Sequence, residues 1–406
     1  MMNYMICSKK IVTVTALGTV LDGAMVVSDG KITAVGKWAD LRKQYSDTKM
    51  IDCTDKVITP ALVDCHTHLL EFAPSSIYPV TPETHLLAGR NILFHALSCG
   101  ITALGEQVCG HPLCDFSIED YRQALAELPI DVSFAATSIS IGFEKLAHFT
   151  SVTGSRNVDQ RELSLPCIVK EIARSSEYPG ENIFINATPA NFKATEVPRA
   201  GEIVYTLEEL KQIVETYHQL DKRIGCHVAG KAGIQMALDA GFNVLHHAHG
   251  ITEDQLNFAA KQGVKLVATP IGGTHLKPNS PEDILIAVKK GIDVSISTDA
   301  YLPPHPEASW LPFCSQSLKG PDVLMLIAQP GMKLLQKQGY GENEILALLT
   351  ENPAKILKKE DHFGRLEPGL DANFIVADGV PGLEITDVEQ IRKVFYRGKK
   401  VIDRDR

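Results

Sequence analysis

Several positions along the chain combine metal-binding residue types with places where a strand is expected to end. His66 and His68 stand two apart after the apolar run Leu62–Cys65. In a strand, residues i and i+2 face the same way, so both imidazoles are directed to one spot. His227 closes a run that starts at Ile224, and His246-His247-Ala248-His249 closes one that starts at Val244. Asp299, in Ser297-Thr298-Asp299-Ala300, closes a run from Val294. Imidazole nitrogens plus one carboxylate are a borderline-hard donor set that suits zinc and similar divalent ions. A catalytic ion keeps one position open and lowers the pKa of a water there toward ~7, so hydrolysis near neutral pH is the chemistry to expect. A His-x-His pair is a weak signal alone, because single histidines more often sit in ordinary hydrogen bonds. The recurrence of such donors at four strand ends carries the reading.

Groups so placed need strands that all end on one side. From about Pro60 to Leu357, candidate strands alternate with helix-like stretches. The strands are Leu62–Cys65, Thr102–Glu106, Val132–Thr137, Ile183–Ala187, Ile224–His227, Val244–His247, Lys265–Ala268 and Val294–Thr298. Thr206-Leu-Glu-Glu opens one helix with a capping-box pattern, Thr252-Glu-Asp-Gln opens another, and Pro281 starts a third. Eight strands each followed by a helix predict an α/β fold, a (β/α)8 TIM barrel, with its chemistry at the C-terminal ends of the strands. The two ends of the chain read differently, as short strands and turns. Ala24–Ser28 and Ile32–Val35 flank the hairpin signal Asp29-Gly30, and Asn373–Ala377, Lys393–Tyr396 and Lys400–Ile402 follow late in the chain. Residues 1–59 and 358–406 are therefore expected to build a small β-sandwich domain beside a barrel of residues 60–357.

Composition narrows the partners. Of 406 residues, 44% are hydrophobic and 22% charged, an ordinary globular mixture. Lysine and arginine number 40 against 49 acids, a net charge of −9 without a basic stripe, so no nucleic-acid partner is expected. No apolar run approaches the ~18–20 residues of a membrane helix. The start of the chain lacks a secretory leader pattern, so no membrane partner and a cytoplasmic location are expected. The nine cysteines are odd in number and include no Cys-x-x-Cys pair. That pattern fits reduced thiols better than a disulfide framework or a cysteine-zinc knuckle. The expected partner is a small-molecule substrate, and a homo-oligomer is left open.

The motifs resemble the amidohydrolase superfamily, in its prolidase-like and imidazolonepropionase-like branch. Asp29-Gly-Lys-Ile-Thr-Ala-Val-Gly is similar to the family's N-terminal hairpin. Val57-Ile-Thr-Pro-Ala-Leu-Val-Asp-Cys-His-Thr-His is similar to its first barrel strand with the metal-binding pair. Asn352-Pro-Ala-Lys-Ile-Leu and Gly364-Arg-Leu-Glu-Pro-Gly-Leu-Asp-Ala-Asn-Phe-Ile-Val are similar to its closing helix and the return to the small domain. The resemblance implies that His66, His68, His227 and Asp299 hold the metal. At the sixth strand both His247 and His249 match the family pattern. His247 is preferred because the helix start at Thr252 then falls in register, and His246 should point away from it in a regular strand. Cys65 should face away from the ion and pack.

Two departures from the family pattern matter. Two-metal members carry a carbamylated lysine at the end of the fourth strand, where this chain reads Asn182-Ile-Phe-Ile-Asn-Ala-Thr-Pro-Ala with Phe184 at the lysine position. That segment holds no bridging Lys, Glu or Cys, and Glu106 is the other carboxylate weighed, so one tightly held divalent ion, zinc by expectation, is favoured over two. Purine and pyrimidine deaminases of the superfamily carry a glutamate three residues after the fifth-strand histidine, where this chain has Gly230.

The implied activity is hydrolysis of an amide- or lactam-like C–N bond, peptide-like or not, through a metal-activated water. Asp299 would act as general base and then pass its proton to the leaving nitrogen, while the ion, or His247 where it is not a ligand, steadies the oxyanion. Substrate contacts are expected from His111, Asn186, His275, Tyr301 and His305 in the loops after the strands. There is no arginine cluster at these strand ends, though Arg90 or Arg199 could be brought in by the fold. Two rivals stand beside this activity: a metal-dependent deaminase of an amino-substituted heterocycle, and a catalytically silent barrel that serves in binding.

Overall fold

The computed structural model describes residues 3–71, 81–110, 116–141, 147–188 and 190–405. Its centre is a barrel of eight parallel strands: Leu62–Thr67, Ile101–Val108, Asp131–Ala136, Ile183–Phe184, Gly225–Ala229, Val244–His249, Lys265–Ala268 and Val294–Ile296. The first three pair in one ladder and the last five in another. Two seams join these ladders. The amide of Asp299 donates to the carbonyl of His66 at 3.1 Å and that of His68 to Ala300 at 3.0 Å, which ties the eighth stave to the first. The amide of Ser138 donates to the carbonyl of Asn182 at 3.2 Å, which ties the third stave to the fourth.

Local sequence sets the helices between the staves. Thr206, Thr252 and Ser280 each accept from the amide three residues on, with Glu209, Gln255 and Asp283 returning the bond, and Pro281 takes the first helical turn. Their apolar faces bury against the staves, as Leu210, Ile213, Val214 and Tyr217 do on Leu207–Gln219. Val63, Cys65, Ala103, Ala135, Val244 and Val267 form one buried cluster with Ile356 and Leu357. Side chains from such widely separated staves meet in the barrel interior, so this cluster is the floor under the strand ends.

The chain ends contribute a second unit. Strands Asn3–Val12, Thr19–Ser28, Lys31–Lys37, Lys49–Pro60, Phe374–Ala377, Ile391–Tyr396 and Lys399–Asp403 join in one ladder. Ser28 pairs with Lys31 across Asp29-Gly30, the hairpin expected there. Strand Lys49–Pro60 pairs with both Asn3–Val12 and Phe374–Ala377, so it sews the N-terminal part to the C-terminal one and then runs on into the first stave. Tyr4, Ile6, Met25, Phe374 and Phe395 share the core of this small domain, with the two phenyl rings stacked at 4.3 Å. Among the described residues, no helix is long and apolar enough to cross a membrane.

Candidate active site and metal centre

The seam between first and eighth staves assembles one half of the site. It sets His66 Nε2 3.2 Å and His68 Nε2 3.7 Å from Asp299 Oδ1. The fifth and sixth staves bring the other half, with the rings of His227 and His247 4.6 Å apart and that of His247 4.9 Å from His66. All these side chains are buried except that of His68, which is 13% exposed. Phe184, in place of the family lysine, stacks on the His227 ring at 4.3 Å.

At the centre lies a residue that strand-end reasoning missed. Glu181 Oε1 is 2.8 Å from His227 Nδ1 and 2.6 Å from His247 Nε2, while its Oε2 is 3.3 Å from both His66 Nε2 and His68 Nε2. The segment Asn182–Ala190 holds no bridging Lys, Glu or Cys, as the sequence reads; Glu181 stands just outside it, two residues ahead of the fourth strand. Its approach depends on two glycines. A side chain on Gly225 would begin 2.2 Å from the carbonyl oxygen of Gly180, so only a bare backbone lets the Pro179–Glu181 turn lie against the fifth stave. The amide of Glu181 donates to Gln107 Oε1 and its carbonyl accepts from Thr137 Oγ1. Glu106 does not reach the centre, because its oxygens accept from Thr67 Oγ1 at 2.6 Å and from the Leu70 amide at 2.7 Å.

The sixth stave also departs from the regular alternation expected of it. His246 was to point away from His247, yet its ring stands 4.8 Å from His66, on the same side as the site. His247 and Ala248 have φ of +66° and +47°, and the pairing with the fifth stave slips at Val228/Ala229. These left-handed residues turn the chain so that successive histidines no longer face opposite ways. His247 joins the donors, whereas His249 is spent on Thr274 Oγ1 at 2.8 Å and Thr269 Oγ1 at 3.2 Å.

The donor set fits a divalent cation. Three triads, His66–His247–Asp299, His66–His68–Glu181 and Glu181–His227–His247, each offer ligand atoms within 4.8 Å of one another. His66 Nε2 lies 3.2 to 3.3 Å from two carboxylates but aligns with neither for a hydrogen bond. At His247 the argument comes from hydrogen-bond direction. Thr269 Oγ1 donates to the carbonyl of Gly272 at 2.6 Å, so it accepts from His247 Nδ1 at 2.7 Å. The His247 Nε2 lone pair then faces a carboxylate oxygen at close range, a repulsive contact that a cation relieves. Charge agrees with this. Burial alone would raise the Glu181 pKa, but the surrounding histidines hold it well below the usual carboxylate range. Burial disfavours charge on His66, yet Glu181 and Asp299 outweigh it and raise its pKa to about 10. Two acids in a dry pocket call for positive charge, which an ion supplies with better geometry than a proton.

Beside the donors opens a cavity of about 210 Å³, walled by Ile139, Ala190, Tyr301 and Leu302 and bounded by His68, Glu181, His227, His247, Asp299 and Gly273. Of the expected substrate contacts, Tyr301 lines it. Asn186 does not: its amide donates to the Gly201 carbonyl at 2.9 Å and accepts from the Ala229 amide at 2.7 Å, so it is consumed in tying a loop to the end of the fifth stave. His275 packs against Gly201 and His305 Nδ1 accepts from the Glu307 amide at 3.1 Å, both away from the cavity lining. His111 lies outside the described residues. Arg199 pairs with Glu202 at the surface. Sequence reasoning missed Gly273 and Asn191. A side chain on Gly273 (φ +118°) would begin 2.4 Å from Asp299 Oδ2 and from His247 Cε1. Asn191 holds that loop in place by accepting from the Gly273 amide at 2.8 Å and donating to the Pro303 carbonyl at 2.7 Å.

Comparison with known proteins agrees with this geometry. Residues 57–401 match the model of the amidohydrolase family, and residues 23–45 match that of the imidazolonepropionase-like composite domain of bacteria. The imidazolonepropionase of Brucella anthropi is 39% identical over 424 aligned positions, covering 97% of this chain and 95% of that protein. The imidazolonepropionase of Brucella abortus is 43% identical over 406 positions, covering 94% and 91%. Among solved structures, the ochratoxinase of A. niger superposes with a TM-score of 0.72 at 18% identity, covering 99% of this chain and 96% of that one, a likeness of fold.

Proposed function

The chain belongs to the amidohydrolase family and is a metal-dependent hydrolase of carbon–nitrogen bonds, and from that premise we propose that it opens a compact ring amide of the imidazolone type, with Asp299 as general base. We further propose two divalent ions, zinc by donor chemistry, in place of the single ion expected from sequence. The observation that carries the ion count is the division of donors between the two oxygens of Glu181: His66 and His68 at one, His227 and His247 at the other. The nature of the substrate rests on the cavity and on the imidazolonepropionases at 39% and 43% identity. At about 210 Å³ the cavity is below the ~300–1,000 Å³ of sites for larger ligands, and its apolar walls suit a small ring.

Bound divalent ions supply Lewis acidity, which polarises a carbonyl and makes water a better proton donor. The chain's own residues do the rest. Asp299 Oδ1 is turned to the donors, while Oδ2 faces Gly273 at the cavity wall. The carboxylate can take a proton from water on one side and release it to the leaving nitrogen on the other. Ile139, Ala190 and Leu302 give the ring an apolar wall, and Tyr301 lines the cavity beside Asp299. Thr269 holds His247 with Nε2 toward the centre. Position 230, three after His227, offers no acid to drive off an amine. A cytoplasmic setting fits the free thiol at every described cysteine.

The test offers zinc-loaded protein imidazolone-type lactams and amino-substituted heterocycles side by side. The expected result is ring opening of the lactam with no ammonia released, and two zinc ions per chain by elemental analysis. Ammonia from the heterocycles with the lactams untouched would overturn the hydrolase substrate, and one ion per chain would overturn the count. Asp299→Asn should fold as the wild type does and lose about 10²–10⁴-fold in kcat. Near-native turnover in that variant would remove Asp299 from the role of base.

A further inference from the structure

His246 is not among the donors, yet it is wholly buried against one of them. Its Nδ1 lies 2.8 Å from His66 Nδ1. Two imidazole nitrogens at that distance share one proton, and the far side of the His246 ring decides which carries it. His246 Nε2 is 3.1 Å from the carbonyl oxygen of Pro179. A carbonyl can only accept, so that nitrogen bears a hydrogen. Neither partner of His246 is a carboxylate, so nothing in contact supports a second, charging proton. Its Nδ1 is then a lone pair, and His66 Nδ1 is the donor. With a cation in place of the proton that the two acids otherwise draw to His66, its Nε2 presents a lone pair where it stands 3.3 Å from Glu181 Oε2 and 3.2 Å from Asp299 Oδ1.

We propose that His246 is a positioning residue for the metal: the chain Pro179 carbonyl, His246, His66 fixes the His66 tautomer and aims its Nε2 at the ion. The inference rests on the reading of His66 as a ligand. The relay is anchored in the same turn that delivers the central carboxylate, since Pro179 and Glu181 are two residues apart. One backbone segment thus sets both the acid and the tautomer of the imidazole facing it. The ring bonds at both ends, and partners behind a ligand of this kind hold about 10–100-fold of metal affinity.

The experiment measures zinc dissociation constants of the metal-free full chain by chelator competition, for the wild type, His246→Asn and His246→Leu, with melting curves on each. Asparagine can place its Oδ1 where His246 has Nδ1 and accept from His66, whereas leucine cannot. The expected result is a dissociation constant raised about 10–100-fold in His246→Leu and within about threefold of wild type in His246→Asn. Should the leucine variant fail to fold, nitrogen-15 spectra of histidine-labelled, zinc-loaded wild type read the tautomer directly, with the His66 signal assigned by its absence from His66→Gln. A ring proton on Nδ1 supports the relay. The inference is overturned by a folded His246→Leu that holds zinc like wild type, by His246→Asn losing as much as the leucine variant, or by a His66 proton on Nε2. A wild type that binds no zinc fails earlier and differently: it removes the metal reading and this inference together.

Discussion

One buried glutamate sits among the histidines and another beside them, and their surroundings treat them in opposite ways. Glu106 at the second stave meets a hydroxyl and an amide, which satisfy it locally, and burial pushes its pKa up to about 7. Glu181 ahead of the fourth stave is ringed by four imidazoles, which hold its pKa well below the ordinary range despite burial. Fixed N–H and O–H donors make a buried carboxylate into a strut between loops. Imidazole nitrogens, which can be lone pairs as readily as donors, make it into a ligand. The contrast is therefore one of neighbours and not of burial, since both side chains are equally withdrawn from water.

The widest gap between the two should appear on replacing each acid with its amide. Glu181→Gln keeps shape and removes the charge that faces the donors, so most of the bound zinc and about 10³-fold of turnover, ~4 kcal/mol of transition-state stabilisation, should go with it. Elemental analysis and steady-state rates read both. The comparison breaks if Glu181→Gln stays zinc-replete and active while Glu106→Gln loses its metal.

A smaller effect is expected at Gly273, which lets the loop after the seventh stave press against the ligand side of the site. The Cβ of Gly273→Ala would strike Asp299 Oδ2 and His247 Cε1, each 2.4 Å from its ideal position, and φ of +118° adds strain. The expected result is a loss of about 1–3 kcal/mol of stability and about 10-fold or more in kcat/KM. Crowding Asp299 this way should leave the Glu106 region unaltered, which hydrogen exchange of the Leu70 amide would show.

Much of this was legible in the chain. The eight staves lie within a few residues of their expected runs because apolar segments between capped helices leave little choice of register. His66, His68, His227 and Asp299 could be found because donors recur at the ends of such runs. Glu181 could not, because it sits in a turn before its strand and enters the site only through the close contact of Gly180 with Gly225. No periodicity encodes that contact. His246 was misplaced for a related reason: the alternation that would turn it away fails where His247 and Ala248 adopt left-handed backbone. Asn186 is at a strand end with suitable chemistry, but its amide is already used on two backbone groups. Residue type and spacing announce donors, whereas irregular backbone and prior hydrogen bonds decide which of them are free to act.

The finest test concerns the strut. Glu106 titrates at about 7 in the folded chain against an ordinary 4.5, so between these values the folded state holds a proton that the unfolded state has lost. Stability from this group therefore falls as pH rises from about 4.5 to about 7, and the loss is complete above that window. Glutamine is neutral throughout. It can accept from the Leu70 amide and donate to Thr67 Oγ1, which then turns its own hydrogen to the Gly105 carbonyl 3.3 Å away. Glu106→Gln should thus gain stability relative to wild type between pH 5 and pH 8, seen as a rise in the difference of urea midpoints, with turnover within about threefold. A difference of midpoints that stays flat, or falls, across that range would mean that Glu106 is charged in the fold after all, and that the two glutamates differ less than their hydrogen bonds indicate.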